Sequence, residues 1–319
     1  MPGEGRNMNT LYFNYALEIE RTGSITKAAE SLHMAQPNLS KHVKELEDSI
    51  GFPLFARSTK GVIPTKKGAQ FLVYARKILD QMERISDLSD TNNKVRQRLS
   101  ISIPRSSYIA EGFTNFVSEL DHDKSIDINL QETNSMQTIN SLEDKVFALG
   151  IIRYQTIHEK YFLDYLKDKN MGYDKIWEFE FVVSMSKNHE LAKVPAITVQ
   201  DLAPYTEIID GDIMVPYIDT LDIYRSSPDM ESQKRIYLYE RYNEFDLLST
   251  IPKIIMWTSP LPDNLLDRYG LILRKCKIEN NHYKDILIYH RGYTLSELEK
   301  KFIDKIFEAK NKVSSKIYT

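Results

Sequence analysis

Apolar residues in the first 65 positions recur at helical spacing in three short runs. Leu11, Tyr15, Leu17 and Ile19 begin the first, which stops at Thr22-Gly23, a natural helix end. Ser24 caps a second run in which Ile25, Ala28, Ala29 and Leu32 share one face, and the paired alanines let another helix approach closely. The third opens on Gln36-Pro37, with proline in the first turn where its missing N–H costs nothing, and carries Leu39, Val43, Leu46 and Ile50 on one seam until Gly51 ends it. At about 100° per residue that seam leaves Pro37, Ser40, Lys41 and Lys44 on the far side, with Gln36 and Asn38 flanking the N-terminal turn. Two short helices joined by the tight Leu32–Ala35 connection, the second with a basic and hydrogen-bonding outer face, meet the requirements of a helix-turn-helix. A small helical subdomain with a solvated charged face fits the same periodicity.

The pattern then changes period. Phe52–Arg57 and Val62–Thr65 are short extended runs around Ser58-Thr59-Lys60-Gly61, which predicts a hairpin with Arg57 and Lys60 near its tip, placed to hold nucleic-acid backbone. From Thr65, a natural N-cap, Phe71, Ala75, Ile78, Met82 and Ile85 alternate at spacings of four and three to about Leu88. Such a stripe seeks a partner helix. Beyond it strands and helices alternate: strands at 99–103, 126–131, 146–152, 177–185, 206–209 and 286–289, and helices at 108–120, 135–142, 199–202 and 295–310. That order predicts an α/β body around a parallel sheet covered on both faces.

Charge sharpens this division. The chain of 319 residues has a net charge of -3, yet residues 1–98 carry 15 Lys+Arg against 11 Asp+Glu, net +4, leaving 27 basic and 34 acidic residues beyond. A basic N-terminal module can approach phosphate where an acidic body cannot. The length suits about two domains. The single cysteine, Cys276, cannot form an internal disulfide and is expected to be buried and inert. The start Met1–Asn7 lacks the apolar stretch of a signal peptide, and no run approaches the roughly 18 residues of a membrane span, so a cytoplasmic location is expected. There is no Gly-rich phosphate loop, His-Glu-x-x-His or Cys-x-x-Cys, and neither cofactor nor metal is expected. The acidic pairs Glu47-Asp48, Glu143-Asp144 and Asp210/Asp212 are expected on solvated faces. His42 has two readings, a base or phosphate contact and partly buried packing.

The stretch from Ser24 through Ala28-Ala29-Glu30, Gln36-Pro37-Asn38-Leu39-Ser40 and Leu46-Glu47, then Leu54-Phe55-Ala56-Arg57 and Thr65-Lys66-Lys67-Gly68, closely resembles the winged helix-turn-helix of LysR-type transcriptional regulators. Pro64 departs from the leucine more usual before that threonine. The resemblance continues more faintly in His189-Glu190-Leu191-Ala192 and the final strand and helix. It implies an α/β protein: an N-terminal winged helix-turn-helix at 8–65, a long linker and dimerisation helix at 66–92, and a bilobal periplasmic-binding-protein-like effector domain at 93–319. The lobes are expected at about 99–153 with 261–319, and at about 177–257. Tyr154–Lys175 reads as an unusually long, charged crossing between them, and Ile251–Trp257 as a second crossing made bulky by Met256 and Trp257.

The implied function is a sequence-specific DNA-binding regulator, not an enzyme, acting as a homodimer or homotetramer on double-stranded DNA. Ser24, Gln36, Pro37, Asn38, Ser40, Lys41, Lys44, Arg57 and Lys60 are the candidate DNA contacts. For a small-molecule effector, Pro104-Arg105-Ser106-Ser107 and Thr133-Asn134-Ser135 open successive helices, and their hydroxyls and free N–H groups suit an organic anion. Pro104, Ser106, Ser107, Thr133 and Ser135 are therefore the candidate effector contacts, with plain N-capping the competing reading. A solute-binding or enzymatic α/β domain carrying an N-terminal helical interaction module is the alternative from another class.

Overall fold

The computed structural model describes residues 9–58, 61–89, 96–218, 234–239 and 243–315, and the chain divides into two units, Met1–Asn93 and Lys94–Thr319.

The first unit is built from α1 (Leu11–Thr22), α2 (Ile25–Ser31), α3 (Gln36–Ile50), the antiparallel hairpin β1 (Phe55–Ser58) and β2 (Gly61–Pro64), and α4 (Lys66–Ser89). Local signals set the boundaries. Gly23 ends α1 at φ 62° and returns its N–H to the Ile19 carbonyl, after which the Ser24 hydroxyl accepts from the Lys27 N–H to start α2. Ala28 and Ala29 are buried against Ile19, Leu39 and Val43, so the small side chains do allow the close helix approach. The wing is tied down at both ends. The Val62 N–H donates to the Gly23 carbonyl at 2.9 Å, while the Glu47 carboxylate at the end of α3 accepts from Leu54 N–H at 2.6 Å. Thr65 Oγ1 donates to the Pro53 carbonyl and accepts from Gly68 N–H at 2.9 Å, which starts α4. Gly68 is required there: a Cβ would lie 1.9 Å from the Leu54 carbonyl oxygen. Along α4, Leu72 and Ala75 join the core with Phe13, Leu46 and Leu54, whereas Ile78, Met82 and Ile85 are exposed. The last three residues expected in this helix, 90–92, lie outside the described residues.

The second unit contains two five-stranded mixed sheets. One is formed by β3 (Gln97–Ile103), β4 (Ile126–Glu132), β5 (Leu149–Gln155), β6 (Met171–Glu180) and β12 (His282–His290), in the order β4-β3-β5-β12-β6. The other comprises β7 (Val182–Ser186), β8 (Thr206–Asp210), β9 (Arg235–Leu238), β10 (Ile254–Thr258) and β11 (Leu271–Arg274), in the order β11-β7-β10-β8-β9. Helices α5 (Ser107–Ser118) and Glu297–Ser314 pack together beside the first sheet, and Gly112 permits the contact because a Cβ would meet Ile306 Cα at 2.9 Å. Helix α6 (Ser135–Glu143) and α7 (Glu159–Asp168) supply apolar residues to the other core on that sheet.

Four expectations are corrected. The sheets are mixed, not parallel, because β12 returns antiparallel between β5 and β6. The apolar run 177–185 is two strands in different sheets, parted at Phe181, whose N–H goes to the Asn281 side chain instead of to a neighbouring strand. Residues 154–175 are no crossing: they hold the end of β5, α7 and the start of β6, all within the first lobe. The crossings are Phe181 and residues 275–281, so 171–180 belongs to the first lobe and 261–274 to the second. Met256 and Trp257 lie on β10, an inner strand of the second sheet, where antiparallel pairing with Ser184 and Val183 fixes them.

Candidate functional site

In the first unit, α3 presents one continuous polar face. Leu39, Val43 and Leu46 are buried, which turns Gln36, Pro37, Asn38, Lys41 and Lys44 to the exterior, with Ser40 half-buried between them. Gln36 Nε2 donates to Ser40 Oγ at 2.9 Å, so amide and hydroxyl are held side by side. Lys41 is 73% exposed and 3.9 Å from Glu45, a weak surface pair; Lys44 has no ion-pair partner among the described residues. Glu45 is drawn elsewhere: Tyr12 donates to it at 3.0 Å and His42 lies 3.3 Å away, contacts that hold its carboxyl below the usual range. His42 is half-buried and packs against Tyr12 with ring centroids 4.8 Å apart. Ser24 is half-buried and caps α2, while Arg57 places its backbone in β1. Lys60 and the Arg57 side chain lie outside the described residues.

In the second unit, the candidate effector residues converge. Pro104, Thr133 and Ser135 line a cavity of about 210 Å³ between the two lobes, together with Arg105, Arg153, Phe181, Asp210, Asp212 and Tyr283. Ser106 and Ser107 line a smaller pocket of about 60 Å³ that shares Arg105, Arg153, Phe181 and Asp210, and Met256 and Trp257 border this pocket, not the larger one. Three of the hydroxyls bond within the protein. Ser135 Oγ donates to the Arg153 carbonyl at 2.6 Å and accepts from its N–H at 3.0 Å; Ser106 Oγ accepts from Arg153 Nη2 at 2.9 Å; Thr133 donates to Gln137. The side chain capping α6 is Asn134, accepting from Gln137 N–H at 2.9 Å.

The charged residues that organise the cavity escaped the sequence reading. Arg153 on β5 faces Asp285 on β12 as a cross-strand pair and bonds it twice, at 2.8 and 2.7 Å, while Tyr108 donates to the same carboxylate at 2.6 Å. Asp285 is fully buried, and β6 carries an extra residue, Ile176, opposite the Asp285–Ile286 step. Burial works against the Arg153 charge and the Asp285 carboxylate more than restores it, so the guanidinium stays protonated. Arg105 reaches across the cleft to Asp210 at 3.3 Å, to Asp212, and to the Tyr239 carbonyl at 3.3 Å. Asp210 and Asp212 thus both line the cleft; Asp210 is exposed, as expected of it, while Asp212 is half-buried. Desolvation within the cleft pushes the Asp210 carboxyl upward, with Arg105 opposing. At the crossings, Asn281 bonds both the N–H and the carbonyl of Phe181, at 3.1 and 2.8 Å, and Phe181 stacks on Tyr283 with centroids 3.8 Å apart. Cys276 is buried, which pushes its thiol up to about 11, as an inert cysteine requires.

The chain thus holds a winged helix-turn-helix unit and a two-lobed α/β unit, and known proteins share both. The model of the bacterial regulatory helix-turn-helix proteins of the lysR family matches residues 12–69, so the first unit carries that family's helix-turn-helix. It is similar to the transcriptional regulators YcgK of Bacillus subtilis (strain 168), 39% identical over 98 residues, and YvbU of the same organism, 28% identical over 207 residues. These matches cover 30% and 64% of this chain, and the chain spans 30% of YcgK and 66% of YvbU, less than two thirds of either. Among solved structures, full-length CbnR complexed with its target DNA shares the fold at TM-score 0.64 with 14% identity, covering 95% of this chain and 100% of that one. Full-length OxyR from Pseudomonas aeruginosa does so at 0.58 with 17% identity, covering 94% and 95%. No described helix is long and apolar enough to cross a membrane.

Proposed function

We propose that this chain is a sequence-specific DNA-binding transcriptional regulator of the LysR type, not an enzyme, that responds to a small-molecule effector held between the lobes of its second unit. One observation carries the reading. A recognition helix packed by Leu39, Val43 and Leu46 turns Gln36, Pro37, Asn38, Lys41 and Lys44 outward as a single uncovered face, next to a hairpin wing. In this reading Gln36, Asn38 and Ser40 meet base edges in the major groove, Lys41 and Lys44 meet phosphate, and Arg57 and Lys60 hold backbone from the wing. Ser24 sets α2 in place beneath them. Residues 8–65 form the DNA-binding domain and 66–92 the dimerising linker. The effector domain follows, with lobes at 97–180 plus 282–315 and at 182–274. Exposed Ile78, Met82 and Ile85 support a homodimer or homotetramer, and the protein works in the cytoplasm, where its DNA is. Pro104, Ser106, Ser107, Thr133 and Ser135 shape the cleft by fixing Arg153 and the helix starts, and an effector acts by favouring one lobe arrangement over another.

The test is a gel shift with genomic fragments selected by the full chain. Retention of a subset of fragments against excess competitor DNA, lost when residues 1–65 are removed, is the expected result. Equal retention without those residues would refute it.

A further inference from the structure

We infer that the ligand of the interlobe cavity is a small organic cation: an amine or guanidine on a flat apolar body, its charge met by Asp210 and Asp212 and its body lying against Phe181 and Tyr283. This rests on the reading of the cleft as an effector site and adds the chemical class.

The two arginines facing the cavity are already engaged. Arg153 gives Nε and Nη2 to Asp285, Nη2 also to Ser106, and Nη1 to the Arg105 carbonyl at 3.3 Å. Its charge is cancelled by a carboxylate that lies behind the wall. Arg105 is shared between Asp210 and Asp212, so two carboxylates face one guanidinium at the cavity mouth. Glu132 and Glu244 add to the same negative field. An anion entering here would add to the negative charge already around Arg105, whereas a cation would offset it. Of the hydroxyls that could have donated to an anion, Ser135 and Thr133 already donate within the protein, to the Arg153 carbonyl and to Gln137.

Independent of the charges, the cavity has groups that await a ligand. The Tyr283 hydroxyl and the His158 ring both line it, and neither has a hydrogen-bond partner among the described residues. Burial shifts the His158 imidazole below its usual range. Phe162, Phe181, Val215 and Met214 give the lining an apolar part beside its polar residues, and an aromatic wall also attracts an ammonium group. At about 210 Å³ the space is below that of drug-sized sites and suits a single ring with a short arm.

Titration calorimetry of the full chain with matched pairs tests this: benzylamine against benzoate, and tyramine against 4-hydroxyphenylacetate. The amines should bind at least tenfold more tightly than their carboxylate partners. Asp212→Asn, or Asp210→Asn if the first fails to fold, should weaken amine binding at least tenfold, and Met214→Trp should abolish it by filling the cavity. Tighter binding of the carboxylates, lost in Met214→Trp, would overturn the cation and leave the cleft as the effector site. Binding of either class unchanged by Met214→Trp and Ile213→Trp would remove the ligand from the cleft altogether. Absence of heat with both amines on folded protein would also overturn the proposal.

Discussion

Removing the carboxylate of Asp285 should destabilise the second unit more than any other single side-chain change at the cleft. The wild-type arrangement is a closed set: Asp285 is wholly buried, receives two hydrogen bonds from Arg153 and one from Tyr108, and Arg153 rests over the Phe179 ring at 4.9 Å. Asp285→Ala leaves the Arg153 guanidinium, only 12% exposed, without its counter-charge. Breaking a buried pair in this way costs about 3–5 kcal/mol, because the abandoned charge remains desolvated. Tyr108→Phe removes one bond to a charged acceptor and should cost about 1.5–3 kcal/mol. The two changes share a partner, so the double variant should lose less than their sum. In a unit of this size each kcal/mol moves the midpoint by roughly 2–4 °C, which puts the Asp285→Ala shift on the order of 10 °C. Thermal unfolding followed by tryptophan fluorescence suits the assay, since both tryptophans, Trp177 and Trp257, lie in the second unit. A shift under about 2 °C, or full additivity with Tyr108→Phe, would refute the claim that this network acts as one buried unit.

Three further outcomes are expected. Gly68→Ala drives a Cβ into the Leu54 carbonyl and should cost the first unit about 1–3 kcal/mol, read by chemical denaturation; an unchanged midpoint would show that the wing does not rest on α4. Ile78→Glu with Met82→Glu places charge on the exposed stripe of α4 and should lower the sedimentation-measured association of the full chain, whereas an unaltered dimer would move the seam elsewhere. Burial raises the Glu207 carboxyl from 4.5 to about 7, and the long 3.9 Å contact with Arg235 does not offset it. The unfolded chain therefore releases this proton first, so the group lowers stability as pH rises from about 4.5 to 7 and by a constant amount above. Glu207→Gln should remove that dependence, gaining up to roughly 3 kcal/mol at pH 8 and almost nothing at pH 4; equal gains at both would contradict it.

What was legible in the sequence was what neighbouring residues decide. Gly23, Ser24, Gly51 and Thr65 end or start helices through bonds to residues at most twelve positions away, although the Gly23 carbonyl also reaches Val62, and the seam of α3 follows from its period alone. The body of the second unit depends on distant partners. Nothing in the apolar run from Ile176 to Met185 marks Phe181 as the place where the chain leaves one sheet for the other, because the signal is Asn281, a hundred positions later. Arg153 and Asp285 meet only once β5 and β12 pair, and Asp210 and Asp212 meet Arg105 only when it is brought across from the first lobe. Of the helix-start hydroxyls, Thr133 and Ser135 line the cavity, and Ser106 and Ser107 line its smaller neighbour. The charges that give it its character lay in residues the pattern could not connect.

Salt dependence tests the central claim most directly. Fluorescence anisotropy of the full chain on a selected fragment should give a steep log–log dependence of affinity on salt. Lys41→Ala and Lys44→Ala should each lower that slope by about one, since each phosphate contact releases about one counterion. Thermal unfolding of both variants should remain that of the wild type, because both side chains are exposed. Slopes unchanged in the double variant would take this face of α3 off the DNA and contradict the account.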